Sequence, residues 1–331
     1  MKAETTAKLL ERFSRARVLV VGDFLLDEFV LGDISRVSRE APVLILRYAN
    51  SDFRPGGAAN TVANVHALGA QVRPLGFIGE DESGRMLLNC WSSRIDASLV
   101  MPQSDLRTTR KVRILAGSFQ SFRQQVVRLD YEWPLTLSAG QEETLCGRLT
   151  EVMPECDAVI LSDYSLGNLS ERVRRTAIET ARSLGKPLAV DSRDRSELFA
   201  GATTLTPNVS ELERALDVRL GEDEELLEQT AEACRRRWDL EALLVTRGRL
   251  GLSLIHSGGA LHIPPYGEGE VADVTGAGDT VVATYTVALA AGADFPQAAR
   301  LANRAGGLAV CKRGTATISR AELLATFSSP E

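Results

Sequence analysis

Asp273-Val-Thr-Gly-Ala-Gly-Asp-Thr280 runs straight into Val281–Ala291, the most apolar segment of the later chain. Gly276 and Gly278 permit a tight turn whose N–H groups converge on one point, and a helix starting there adds its positive end. An anion hole is expected. Asp279 falls in the first helical turn, where a carboxylate can take a hydroxyl proton while nearby amides stabilise charge on a transferring phosphoryl group. On these eight residues alone a plainer alternative stays open: Asp279 caps the helix and the glycines only turn the chain. Dinucleotide binding fits worse, because Val281 stands where Gly-x-Gly-x-x-Gly needs its third glycine. No Gly-x-x-x-x-Gly-Lys-Ser/Thr phosphate loop is present. Val281–Ala291 includes two Thr and a Tyr and falls short of the roughly 18 apolar residues of a membrane span, so it reads as a core helix.

Outward from this turn, Val18–Val21, Ala158–Leu161, Pro187–Val190 and Ala242–Val245 are compact apolar runs of strand length. Helical periodicity marks Ala58–Leu68, Ser170–Leu184, Asp223–Arg237 and Gly276–Ala291. Such alternation implies βαβ units and a mainly parallel sheet covered by helices on both faces, with ligands at the C-terminal ends of the strands. Residues 28–54 and 107–131 break the rhythm. Phe29–Leu31 with Val43–Tyr48, and Lys111–Leu115 with Gln125–Leu129, read as antiparallel strands of a small lid inserted in one domain spanning 1–331.

The length of 331 residues allows a large core, and 44% apolar with 25% charged residues is ordinary for a globular chain. A net charge of -6 disfavours non-specific binding to nucleic acid or an anionic membrane, so any phosphate site must be local. Cys90, Cys146, Cys156, Cys234 and Cys311 are scattered and odd in number, which suggests reduced thiols rather than a disulfide framework or zinc cage. Leu9, Leu10 and Phe13 have helical spacing among charged neighbours, without the apolar stretch of a signal peptide, so a mature cytoplasmic protein is expected.

A second constellation lies in Gly22-Asp-Phe-Leu-Leu-Asp27 and Arg54-Pro-Gly-Gly-Ala-Ala-Asn60. Carboxylates and an Asn beside flexible glycines suit a polyol, because Asp accepts paired hydroxyl bonds and Gly lets backbone approach a sugar ring. The alternative is that Asp23 and Asp27 cap a turn and Asn60 caps the helix.

Together, Gly56-Gly57…Asn60 and Asp273…Gly276-Ala-Gly-Asp279 resemble the signatures of the ribokinase-like, or PfkB, carbohydrate kinases, and the resemblance covers nearly the whole chain. It implies a three-layer α/β/α sandwich with a small β-strand lid. More narrowly, Gly22–Asp27, Ser35–Pro42, Arg54–Asn60, Leu161–Tyr164 and Leu205–Glu211 resemble the heptose 7-phosphate kinases of lipopolysaccharide synthesis, departing at Arg39 and Leu166. That implies phosphorylation of D-glycero-β-D-manno-heptose 7-phosphate at O1. The sequence ends at Glu331 with only His66, His256 and His262, and no His-x-Gly-His motif, so a stand-alone kinase is expected.

The resemblance also distributes roles. Asp279 would activate the anomeric hydroxyl, with the amides of Gly276, Ala277 and Gly278 on the γ-phosphate of ATP. Asp27, Gly56, Gly57 and Asn60 would hold the sugar. Lys111 and Arg113, two apart on a strand, would meet the 7-phosphate with Arg128, unless all three only protect an edge strand. Asn208 and Glu211 form an Asn-x-x-Glu element that would organise Mg²⁺ through water and the phosphates, or else cap a helix. Thr246 and Gly248 would approach the nucleotide phosphates, Asn303 the adenine, and Asp273 the nucleotide or cations, a monovalent ion among them. Related kinases pair through their lids, so a homodimer is expected.

Overall fold

The computed structural model describes residues 3–117, 124–267 and 271–327. Residues 118–123, within the second expected insertion, lie outside the described residues. The chain opens with α1 (Ala3–Arg12), β1 (Arg17–Gly22), β2 (Phe24–Val37), β3 (Leu44–Gly57), α2 (Ala58–Ala67), β4 (Gln71–Gly79), α3 (Glu82–Asn89), β5 (Val100–Gln103), β6 (Arg110–Gly117), β7 (Gln124–Tyr131) and α4 (Ala139–Val152). There follow β8 (Ala158–Asp163), α5 (Glu171–Ser183), β9 (Leu188–Ser192), β10 (Thr204–Leu205), α6 (Val209–Leu216), α7 (Glu224–Arg237) and β11 (Ala242–Thr246). Last come β12 (Leu252–His256), β13 (Gly259–Ile263), α8 (Ala277–Ala290), α9 (Phe295–Val310) and α10 (Arg320–Ala325).

Nine strands form the main sheet in the order β13-β12-β11-β10-β9-β8-β1-β4-β5. The seven from β11 to β5 pair in parallel, whereas β12 and β13 close one edge antiparallel. The period of two in a strand decides the layering. Val18 and Val20 join one core cluster with α2, α8 and α9, while Leu19 and Val21 join the other with α4, α5 and α7. Both faces of β1 are therefore apolar and both are covered, as expected for a parallel strand. The sequence pattern hid β4, because Gln71, Arg73 and Pro74 interrupt it. Pro74 is tolerated there because β5 pairs only with Gly76–Gly79, leaving the side its missing N–H would face unpaired.

A second, four-stranded sheet has the order β3-β2-β6-β7. Each insertion is an antiparallel hairpin, yet β2 and β6 pair in parallel, which corrects the expectation of a wholly antiparallel lid. The reason is topological: β2 follows β1 and β6 follows β5, so both leave the same C-terminal edge of the main sheet in the same direction. The first hairpin is also longer than expected, with β3 running through Arg54-Pro-Gly-Gly57 to the very start of α2. Among the described residues no helix is long and apolar enough to cross a membrane.

Two glycines contrast what the packing requires. A Cβ on Gly22 would run into the Ser162 carbonyl of β8, whereas one on Gly147, inside α4, would meet nothing within 4 Å. Gly22→Ala should cost about 2–3 kcal/mol, since backbone cannot step aside. Gly147→Ala should add about 0.5–1 kcal/mol through lost unfolded-state freedom. Urea unfolding of the two variants checks both signs.

Candidate active site

The loops at the C-terminal ends of β1, β8 and β9 meet the first turns of α2 and α8. Gly276 ends the preceding loop at φ +78°, a left-handed conformation natural to glycine, and serves as N-cap of α8. That geometry turns Asp279 inward, where it is 4% exposed. Its Oδ2 accepts from Asn60 Nδ2 at 2.7 Å, and its Oδ1 from Thr61 Oγ1 at 3.2 Å and the Tyr164 hydroxyl at 2.8 Å. Burial pushes the carboxyl up to about 6, against these hydrogen bonds and the charge of Arg193, which favour ionisation. At neutral pH Asp279 is thus an ionised carboxylate with a raised proton affinity, as a general base requires.

Asn60 is fully buried, and Asn64 binds both its carbonyls while accepting from Thr280 Oγ1 at 2.9 Å, so α2 and α8 are stitched together beneath the carboxylate. Gly57, at φ +59°, leaves no room for a Cβ against the Asp23 carbonyl, and Ala58 N–H donates to that same oxygen at 3.0 Å. The Asp23 side chain is wholly structural. It accepts the amides of Tyr164 and Leu166 at 2.9 Å and of Asn168 at 3.0 Å, folding the segment after β8 under the site. Leu166, one of the departures from the relatives' pattern, is buried and works through its backbone.

Asp27 lies beside Gly56 and is ion-paired to Arg113, whose guanidinium sits 5.3 Å from the Phe29 ring centroid. Burial raises the Asp27 carboxyl, with Arg113 opposing. Lys111 and Arg113 are both buried and share one face of β6. Lys111 meets Glu132 at 2.8 Å and Asp130 at 3.9 Å. Arg128 faces Arg113 in register across β7 but turns to Asp130 at 2.8 Å and is largely exposed. The three cations therefore share a sheet face with matched carboxylates.

On the other side of Asp279 opens a cavity of about 240 Å³ lined by Tyr164, Asp191, Arg193, Asn208, Glu211 and Gly276 among others. Asn208 and Thr246 also line an adjoining one of about 370 Å³ with Arg214, Gly248 and Arg249. Asn208 and Glu211 form a reciprocal capping box on α6, each side chain accepting the other's amide at 2.8 Å, so capping and cavity lining coexist. Among the described residues no three or more His, Cys, Asp or Glu gather to hold a metal ion. With its carboxylate committed to the cap, Glu211 fits outer-sphere contact with a hydrated ion better than direct ligation.

The anion hole is narrower than expected. The Ala277 amide donates to the Val274 carbonyl at 3.2 Å, closing the turn, so it is withdrawn from any ligand. Among the described residues the amides of Gly278 and Asp279 take no acceptor, and a Cβ on Gly278 would meet open space. Asp273 spans the loop, accepting Thr275 N–H at 2.9 Å and Gly314 N–H at 3.0 Å. Asn303 donates to the Pro264 carbonyl at 2.8 Å, apart from either cavity.

Residues 16–322 match the family described as pfkB family carbohydrate kinase. The Bifunctional protein HldE of Nitrobacter hamburgensis is 42% identical over 318 residues, covering 95% of this chain and 64% of that protein. Its namesake in Chromohalobacter salexigens is 43% identical over 318 residues, with 93% and 63% covered. The chain thus spans slightly under two thirds of these relatives. Among solved structures, Arabidopsis thaliana ribokinase complexed with ribose and ATP has a TM-score of 0.74 at 19% identity over 95% of this chain and 99% of that one. Escherichia coli phosphofructokinase-2 in complex with substrates and products also scores 0.74, at 16% identity over 95% and 98%. At such identities the likeness speaks for the fold alone, which is ribokinase-like.

A Cβ at position 276 would sit 2.6 Å from Asn60 Nδ2. Gly276→Ala should therefore push Asn60 off the carboxylate and lower turnover about 10- to 100-fold, the scale of a small misplacement at a reacting centre. Far-UV circular dichroism should stay native, and unaltered turnover would show the contact dispensable.

Proposed function

The chain belongs to the pfkB family of carbohydrate kinases, and we propose that it phosphorylates D-glycero-β-D-manno-heptose 7-phosphate at O1 from MgATP, for ADP-heptose and lipopolysaccharide core synthesis. The observation that carries the chemistry is one buried carboxylate, Asp279, beside two amides at the start of α8 that take no acceptor among the described residues. The acceptor choice rests on segments 22–27, 35–42, 54–60, 161–164 and 205–211 and on identity of 39–43% to proteins named Bifunctional protein HldE.

In this reading Asp279 takes the O1 proton as O1 attacks the γ-phosphorus in line, and the Gly278 and Asp279 amides meet the charge that develops on the phosphoryl oxygens. Asp27, Gly56, Gly57 and Asn60 hold the sugar, with Lys111 and Arg113 exchanging part of their carboxylate pairing for the 7-phosphate. Arg128 is the weakest member of that set, because its guanidinium is held by Asp130 in the open. The nucleotide phosphates lie across Asn208, Thr246 and Gly248, with Asn303 beyond them toward the adenine. Mg²⁺ on those phosphates supplies charge neutralisation, and Glu211 steadies its water shell. Asp273 keeps the turn in shape through the Thr275 and Gly314 amides.

We read the chain as a single cytoplasmic kinase domain whose four-stranded sheet is a lid that excludes competing water. The outer strands expose Leu44, Tyr48, Val126, Val127 and Leu129, and the end of β2 adds Val37, apolar surface suited to a second copy of the chain.

Four outcomes follow from these assignments. Asp279→Asn should bind ATP yet lose about 10²-fold or more in turnover, the scale of a lost general base. In the parent, the carboxyl held near 6 must be ionised to act, so kcat/KM should be steady above that pH and fall about tenfold per unit below it. A panel of heptose 7-phosphate, fructose phosphates, ribose and adenosine, read by ADP release, should favour the heptose, and preference for another acceptor would displace it. Sedimentation at micromolar concentration should give a dimer of the 35.8 kDa chain, against a monomer if the lid surface stays bare.

A further inference from the structure

We infer that Tyr164 is a positioning residue for the base: its phenol fills one oxygen of Asp279 and reserves the other for the acceptor hydroxyl. The inference rests on Asp279 being the base. A carboxylate oxygen accepts about two hydrogen bonds. Oδ1 already receives Tyr164 and Thr61, whereas Oδ2 receives Asn60 alone. The O1 proton therefore goes to the remaining lone pair of Oδ2, as the O1–phosphorus bond forms and the bond from γ-phosphorus to the ADP oxygen breaks with its electrons on ADP. Tyr164 stays a phenol throughout, since burial and the neighbouring Asp279 charge hold its own acidity well down.

The segment carrying Tyr164 is built for this placement. Its amide is fixed by Asp23 at 2.9 Å, and Ser165 next to it adopts φ +58°, which a non-glycine residue does at a cost. Ser165 N–H is held in turn by Asp163 Oδ1 at 3.0 Å. Over the ring, 4.3 Å from its centroid, lies the Arg193 guanidinium. Around Asp279 the facing groups are Asn60 and Thr61 from α2, Tyr164 after β8, Asp191 from β9, Arg193 after it, and Glu211 of α6 farther along the cavity. Burial and the Asp279 and Glu211 charges hold the Asp191 carboxyl well above the usual range. Arg193 and the three donors work against burial in setting the proton affinity of Asp279, and the phenol is the donor that can be removed without emptying the ring's space.

Tyr164→Phe should raise the acid limb of the kcat/KM profile by about one pH unit, a tenfold change in proton affinity. The ratio of variant to parent rate should be about fivefold lower at pH 6 than near pH 8.5. Site-specific 3-fluorotyrosine at position 164, a stronger donor in the same space, should move the limb down. An unmoved limb, or an equal loss at every pH, would overturn the role of Tyr164, and should the phenylalanine variant not fold, a fluorotyrosine limb that stays put does so alone. Asp279→Asn separates the two ideas. If that variant turns over normally, the base assignment itself has failed, whereas an inactive Asp279→Asn with an unshifted Tyr164→Phe limb removes only the inference made here.

Discussion

Withdrawing a carboxylate from water is costly unless donors replace the solvent, and at Asp279 they come from two places far away in sequence. Asn60 and Thr61 reach it from α2, and Tyr164 from the loop after β8. This demand ties α8 to both, and with them the ends of β1 and β8. The same three bonds that make the burial tolerable leave the group ionised near neutrality but still eager for a proton. Stability of the junction and chemical competence are consequences of one compromise between desolvation and hydrogen bonding.

Beneath that compromise lies a second carboxylate with an opposite use. Asp23 spends its oxygens on three backbone amides, and burial pushes it up to about 6 as well. Two aspartates raised alike by burial thus divide the work, one organising the floor and one lining the cavity. The difference is set by their partners: amides of a single loop in one case, side chains of separate elements in the other.

Much of the architecture was legible because β1, β8, β9 and β11 are continuous apolar runs and α2, α5, α7 and α8 keep a helical period. The anion turn was legible because a left-handed residue before a helix calls for glycine. What stayed hidden was pairing across distance. Nothing local to Tyr164 or Thr61 announces a partner 115 or 218 positions away, and the parallel meeting of β2 with β6 depends on where each hairpin leaves the sheet. Asn208 and Glu211 were ambiguous for another reason, since the spacing that caps a helix is the spacing that would present a ligand. The competing use of the Ala277 amide was equally invisible, because which N–H closes a turn is decided by its exact bend.

The strand β2 is unbroken from Phe24, one residue past Asp23, to the exposed Val37. Its near end carries Asp27 against Arg113, and its far end stands in the open beyond two irregularities, at Leu31/Gly32 and Ile34/Arg36. Among the described residues the root is paired on both sides, whereas past Asp33 the strand is held by β3 alone, with two soft joints along its length. A load on the tip reaches Asp27 only through those joints, so the outer sheet and the floor of the site are joined along a single backbone.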